Sequence, residues 1–385
     1  EIGVRLVGSE MCIRDRDQGM FPYTPEERDF YTTDVFSDKA IAFLDEHGTS
    51  EQPFFLYLSE CAPHFPMHAW PEDIARVGDR YRIGWDELRR RRAVRLQAES
   101  LVEPRWGVSP RDDRVPAWED EPDQAGRAYA MAVYAAMVER MDFAIGRVLD
   151  KIRALGKEQD TLVLFLSDNG ASGEGIHNTP DVPPGPVDSY HTIDAPWANA
   201  SNTPFRLYKV FDHEGGISTP LIASWPGMMA QGGAIDRTVG HVLDFLPTFA
   251  ELAGVDVPTE FDGHQVLAPE GRSLATQLTG QRPSTELADE DRVLCWEFSG
   301  CRAVRRGRWK LVSQGAPRQH AGMTVDVAAD CWELYDIHAD RCEGTDLGDQ
   351  HPDIASRLAG DWQDWLRRCA ADAGAGGDTE ARGNR

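Results

Sequence analysis

The stretch TLVLFLSDNGASGEG, residues 161–175, decides how the rest of the chain is read. Leu162 to Leu166 is an unbroken apolar run, and such runs read as strands buried on both faces, the kind found in parallel sheets. The run stops at Ser167, and Asp168-Asn169-Gly170 follows at its carboxyl end, the edge where open α/β sheets bind ligands. Adjacent Asp and Asn side chains offer hard oxygens, which suit Ca2+ or Mg2+ better than a soft metal. The same residue types also build ordinary turns. Company from the rest of the chain has to decide between the two.

Upstream, Val133, Met137, Met141, Ile145, Val148, Ile152 and Leu155 recur at three- and four-residue steps, which predicts a long amphipathic helix closed by Gly156. Helix, strand and ligand loop make half of a crossover unit. A second such half precedes it. Asp34 can cap a helix running to about His47, and Pro53 to Leu58 reads as another buried strand. That strand ends in CAPHFPMHA, residues 61–69, where prolines stiffen the backbone around His64. A histidine there is either an ordinary structural one or one that must point at something. Residues 71–126 are polar and rich in Trp, Pro and Arg, and Arg89 to Arg92 read as the solvated face of a helix.

Downstream, 176–200 is a Pro-, Asp- and Gly-rich loop long enough to be functional. It leads to SNTPFRLYKVFDHEGGI, residues 201–217, a strand at 220–225 and a helix at about 243–252 ended by Gly254. From Asp291 the pattern becomes a hairpin turning at Arg306-Gly307, an edge strand at Trp332 to Asp336, and an amphipathic helix carrying Ile354, Leu358, Trp362 and Trp365. The expected organisation is an α/β unit over 17–290, a small α+β unit over 291–370 and a disordered tail over 371–385. Residues 1–16 look like a non-native artefact and are left out of the fold expectation.

The net charge of −24 makes a nucleic-acid partner or an anionic membrane surface unfavourable, and no apolar run approaches the ~20 residues of a membrane span. The 41% apolar content and 11 Trp supply a real core. Seven Cys, four of them between Cys295 and Cys342, permit disulfides there without requiring them.

Three segments, APHFPMHA (62–69), LFLSDNGASGEG (164–175) and SNTPFRLYKVFDHEGGISTPLIASWPG (201–227), resemble type I sulfatases, the arylsulfatase-like branch of the alkaline-phosphatase-like superfamily. The resemblance runs in order from about Asp17 to Leu366. It implies a mixed, mostly parallel sheet flanked by helices, followed by a small C-terminal antiparallel sheet with a helix. It also implies a sulfate-ester substrate and one Ca2+, held by two N-terminal Asp residues and an Asp-Asn pair matched by Asp168 and Asn169. His64 matches the family's sulfate-binding histidine and Lys209 its sulfate-binding lysine. His213 is either a supporting residue behind the site or a structural one.

The family's nucleophile is formylglycine, made by a formylglycine-generating enzyme from Cys or Ser in C-x-P-x-R or S-x-P-x-R. Neither motif occurs in the 385 residues, and Cys12 to Arg16 has the interval without the Pro. The expectation is an N-terminally truncated sulfatase, inactive as it stands. Two alternatives keep the fold: a phosphodiesterase or phosphonate monoester hydrolase, or a pseudoenzyme that binds sulfated ligands. His64, Asp168, Asn169 and Lys209 are expected to converge at the carboxyl edge of the sheet.

Overall fold

The computed structural model describes residues 29–229, 232–280, 292–316 and 331–375, with the strand segments 3–7, 14–15, 18–19, 318–320 and 323–325. Strand β1, Gly3–Val7, lies within the stretch left out of the sequence expectation. Helix α1, Thr32–His47, leads into β2, Phe54–Leu58, which pairs with β1 in parallel. Asp34 does not cap α1. Tyr31 holds the cap position, and the Asp34 carboxylate in the first turn accepts from Arg140 Nη2 at 2.5 Å.

After α2, Gly84–Ala98, comes α3, Gln124–Ala154, whose N-cap Asp123 accepts from the Gly126 N–H. Helix α3 runs parallel to α1, because Asp34, Asp38 and Asp45 meet Arg140, Arg147 and Lys151 in ascending order. The apolar stripe between them holds Phe36, Phe43, Leu44, Val148 and Ile152. Such side chains stabilise by about 1.5–3 kcal/mol each when fully buried. The two exposed pairs, Asp38–Arg147 and Asp45–Lys151, mainly set direction and register, since each is worth about 0–1 kcal/mol. Past Gly156, in left-handed backbone at φ 69°, α3 feeds β3, Val163–Leu166.

Helix α4, Asp194–Ser201, carries Trp197, fully buried beside Trp85 at 5.5 Å between ring centroids. Arg89 on α2 faces this core rather than solvent. It is buried, donates to Asn199 Oδ1 at 2.8 Å and to the Ser109 carbonyl at 2.7 Å, and burial lowers its pKa. Arg90 and Arg91 do lie outside and pair with Glu87.

Strand β4, Leu221–Ser224, pairs with β3 in antiparallel register. This corrects the expectation of a parallel strand buried on both faces, and Phe165 is 42% exposed. Pairing is set by the return path of the chain: the Gly170 N–H donates to the Gly216 carbonyl at 2.9 Å, which folds residues 213–217 back onto the turn after β3. Helix α5, Phe245–Ala253, ends at Gly254 in the left-handed region.

The C-terminal sheet contains β5 (Val293–Phe298), β6 (Cys301–Arg306), β7 (Trp309–Ser313) and, after the short pair β8 (Arg318–His320) and β9 (Met323–Val325), β10 (Glu333–Asp336). Its order is β10-β7-β6-β5, antiparallel throughout. Helix α6, Pro352–Ala375, seats Leu358 on Val304, Leu311 and Leu334. The helix continues to Ala375, beyond the boundary at 370 read from the sequence; residues 376–385 lie outside the described residues. Cys295, Cys331 and Cys342 are thiols, and burial pushes Cys295 and Cys342 up to about 12. No described helix is long and apolar enough to cross a membrane.

Candidate active site

Three turns meet beyond the carboxyl ends of β2 and β3. The first holds His64, exposed on its proline-flanked loop. Its Nδ1 lies 2.8 Å from the Phe65 carbonyl, which can only accept, so Nδ1 carries the hydrogen. That leaves Nε2 as an acceptor, 3.0 Å from Lys209 Nζ. The second is the Asp168-Asn169-Gly170 turn, with Asp168 exposed, Asn169 half-buried, and Ser167 Oγ donating to the Asn169 carbonyl at 2.9 Å. The third, residues 206–211, brings Lys209.

Lys209 is placed by its neighbours on the chain. Its N–H donates to the Ala171 carbonyl at 3.0 Å, and Asn202 ties the same strands of loop together, accepting from the Ala171 N–H at 3.0 Å and donating to the Leu207 carbonyl at 3.1 Å. Tyr208 is fully buried against Gly173, where an added Cβ would come within 2.3 Å of the ring. Gly170 is tighter still, since a Cβ there would sit 1.8 Å from the Gly215 carbonyl oxygen. Leu207 and Val210 take φ of 64° and 88°, costly backbone for such side chains. The surrounding contacts hold that strain so that Tyr208 points in and Lys209 points out, with Nζ 5.9 Å from the Phe65 ring centroid.

His64 and Lys209, 145 positions apart, are thus in contact, and Lys209 is bonded through its backbone to the loop that carries Asp168 and Asn169. His213 is elsewhere. It is fully buried, 3.0 Å from Glu333 Oε2 on β10, and ties the His-Glu-Gly-Gly turn to the C-terminal sheet. Burial pushes the Glu333 carboxyl up, but His213 and Arg206 outweigh it and bring it down to about 2.

Three further residues at this site escaped the sequence reading. Asn202 and Glu174 lie inside the quoted segments but follow no metal-ligand or acid–base spacing. Glu174 is buried, accepts from Ser172 Oγ at 2.8 Å and lies 3.5 Å from Lys209 Nζ. His320 arrives from β8, where nothing in the local pattern marks it; its Nε2 is 3.7 Å from Glu174 Oε1.

A family model described as Sulfatase matches residues 9–255. The chain belongs to the sulfatase family. A second model, described as N-sulphoglucosamine sulphohydrolase, C-terminal, matches residues 205–361. An uncharacterised sulfatase of Schizosaccharomyces pombe is 33% identical over 353 residues, covering 87% of this chain and 61% of that protein. An arylsulfatase of Klebsiella aerogenes is 32% identical over 262 residues, covering 64% and 56%. Among solved structures, a protein in complex with its substrate D-glucosamine-2-N,6-O-disulfate aligns with a TM-score of 0.52 at 19% identity, over 88% of this chain and 69% of that one. The sulfatase chain spans about three fifths of the curated relatives it matches. Its fold is the α/β fold of the alkaline-phosphatase-like superfamily, with the four-stranded C-terminal sheet and its helix.

The carboxylate of Asp168 and the amide oxygen of Asn169 are hard donors of the type Ca2+ takes, but a Ca2+ shell needs about six to eight oxygens. Among the described residues of this sulfatase chain no cluster of three or more His, Cys, Asp or Glu gathers as a metal site. The pair fits part of a Ca2+ shell.

Near the same edge, Glu60 follows β2 with its Oε2 buried and without a hydrogen-bond partner among the described residues. Burial, helped by Asp34 and opposed by Ser37, pushes it up to about 7 from an ordinary 4.5. A carboxyl raised in the folded state contributes stability below its unfolded pKa and loses it as pH rises through the folded one. Stability of the sulfatase chain should therefore decline between pH 4.5 and about 7 on account of Glu60, and Glu60→Gln should flatten that part of the profile. Urea midpoints at pH 5 and pH 8 for the two proteins check this; parallel profiles overturn it.

Proposed function

We propose that this chain carries the sulfate-binding side of a sulfuric ester hydrolase of arylsulfatase type. The α/β unit over 17–290 provides the site and the unit over 291–370 braces it. The observation that supports this reading is the His64–Lys209 contact beside the Asp168-Asn169 turn: an acceptor nitrogen and an ammonium at 3.0 Å, on an open edge, in a chain of net charge −24. An incoming sulfate oxygen takes the Lys209 Nζ hydrogen that His64 Nε2 now accepts. His64 Nε2 then takes a proton from solvent and gives it to the bridging oxygen, where it assists departure of the alcohol. The Nδ1 hydrogen bond to the Phe65 carbonyl keeps the ring in place through both states. Lys209 neutralises charge on the sulfuryl oxygens, which an acidic protein has to supply locally.

Asp168 and Asn169 would hold one face of a Ca2+, whose charge would help bind the sulfate oxygens. A formylglycine, made by a formylglycine-generating enzyme, would supply the nucleophile from outside these residues, since neither precursor motif occurs in the 385. The test is a chromogenic aryl-sulfate assay beside an aryl phosphate, with Ca2+ present. Residues 1–385 alone should show no turnover. The chain joined to a native upstream segment bearing C-x-P-x-R or S-x-P-x-R, and coexpressed with the generating enzyme, should hydrolyse the sulfate. Phosphate hydrolysis exceeding sulfate hydrolysis overturns the proposal in favour of phosphodiester chemistry.

A further inference from the structure

A buried carboxylate beside a sulfate-binding lysine is out of place electrostatically, because it repels the anion that the lysine attracts. Glu174 is such a group, 7% exposed, in the loop that leaves the Asp168-Asn169 turn. Burying a carboxylate without partners costs several kcal/mol, so its partners indicate its role. They are Ser172 Oγ at 2.8 Å, Lys209 Nζ at 3.5 Å and His320 Nε2 at 3.7 Å. Four side chains therefore stand in a row: His64, Lys209, Glu174 and His320. Both ion-pair contacts of Glu174 are longer than hydrogen bonds, so its oxygens and the His320 ring still have hydrogen-bonding capacity to give a ligand.

His320 comes from the β8–β9 hairpin of the C-terminal unit, 146 positions from Glu174. Its Nδ1 is 3.1 Å from Ser299 Oγ and its ring lies 6.1 Å from that of Phe298, and the side chain keeps 25% exposure. The ring is thus held from behind by Ser299 and flanked by Phe298, with Nε2 turned to Glu174. A carboxylate acceptor next to an imidazole, with Ser172 beside them, suits neutral hydroxyl groups, which can donate to one and accept from the other. It does not suit a second sulfate.

We propose that Glu174 and His320 bind hydroxyl groups on the alcohol portion of the sulfate ester, with His320 contacting the ligand and Glu174 positioned between it and Lys209. This rests on the reading that His64 and Lys209 receive the sulfate. The C-terminal hairpin is then part of the binding site, and it favours esters of polyhydroxylated alcohols over simple alkyl sulfates.

The test measures binding to residues 1–385 by calorimetry and by NMR chemical-shift perturbation, with inorganic sulfate, ethyl sulfate and glucose 6-sulfate. The unsubstituted chain should prefer glucose 6-sulfate over ethyl sulfate by about 10-fold, the scale of one or two hydrogen bonds to charged groups. His320→Ala and Glu174→Gln should each bring that ratio close to one, and His320→Gln, which keeps a donor, should restore part of it. A variant that has lost its fold would lose inorganic sulfate binding as well, which separates unfolding from loss of the hydroxyl contacts; the His320→Gln result then decides. Loss of all sulfate binding in Lys209→Ala together with an undiminished glucose 6-sulfate preference in His320→Ala overturns this proposal and leaves the sulfate site standing. Inorganic sulfate binding that survives Lys209→Ala, or no binding of any of the three by the unsubstituted chain, overturns both.

Discussion

Lys209→Ala, made in the chain joined to a segment bearing C-x-P-x-R or S-x-P-x-R, should lower kcat/KM for an aryl sulfate by about 10²-fold or more, the usual scale for losing one charge contact to a transition state. Each tenfold corresponds to about 1.4 kcal/mol of barrier, so the expected loss is near 3 kcal/mol. The size follows from placement. The Lys209 side chain is 21% exposed, and its Nζ sits between His64 Nε2 and the buried Glu174. Water screens it little there, so its attraction for a sulfuryl oxygen exceeds that of a surface lysine. Lys209→Arg should rescue poorly, because a planar fork does not reproduce a compact ammonium wedged against the Phe65 face. Steady-state kinetics on the three proteins, with melting curves alongside, check this. Unchanged aryl-sulfate turnover in Lys209→Ala removes the residue from the site.

Lys310→Met lowers the unfolding free energy by about 3–5 kcal/mol, the cost of breaking a buried ion pair from one side. Lys310 on β7 is fully buried, with Nζ 2.9 Å from Glu214 Oε1 and 2.9 Å from Glu343 Oε1. Burial pushes Lys310 down and Glu214 up, but their mutual attraction, with Arg341 also on Glu214, reverses both, so each is held firmly charged. Removing the lysine takes away the cation that two buried carboxylates share and leaves Arg341 on Glu214. The same group braces the site: Glu343 Oε2 accepts the Glu214 N–H at 2.8 Å, and Gly216 two residues on holds the Gly170 turn. Replacing Lys310 and Glu343 together by Met and Gln should recover part of the loss, because Glu214 keeps Arg341 and the second buried carboxylate is gone. Urea unfolding measures it, and a loss below about 1 kcal/mol, the range of a surface pair, overturns the account.

Acid works on the same interface. Glu333 is depressed to about 2 in the folded chain, so its contribution is present above the ordinary 4.5 and is lost as pH falls from there toward about 2. The sign is opposite to that of Glu60, which weakens the chain as pH rises from 4.5 to about 7. The two can be separated in one pH series.

Local pattern was enough for the elements. The apolar run at 162–166, the three- and four-residue rhythm over 133–155 and the turn at Arg306-Gly307 each report their own backbone, and each appears where the residues place it. His64 and Lys209 were singled out by the family resemblance of their segments, and the structure brings the two side chains to 3.0 Å. What the sequence could not contain was pairing across distance. The direction of β4 against β3 depends on a glycine contact between residues 170 and 216. Arg89 reads as a solvated charge in a run of arginines and becomes a buried donor only because Asn199 and Ser109 face it. His213 is an interface residue because Glu333 lies on a strand 120 positions away. Glu174 and His320 approach one another only where β8 meets the loop after β3. Burial and Coulomb energy depend on the separation of atoms in space, which only the tertiary structure decides.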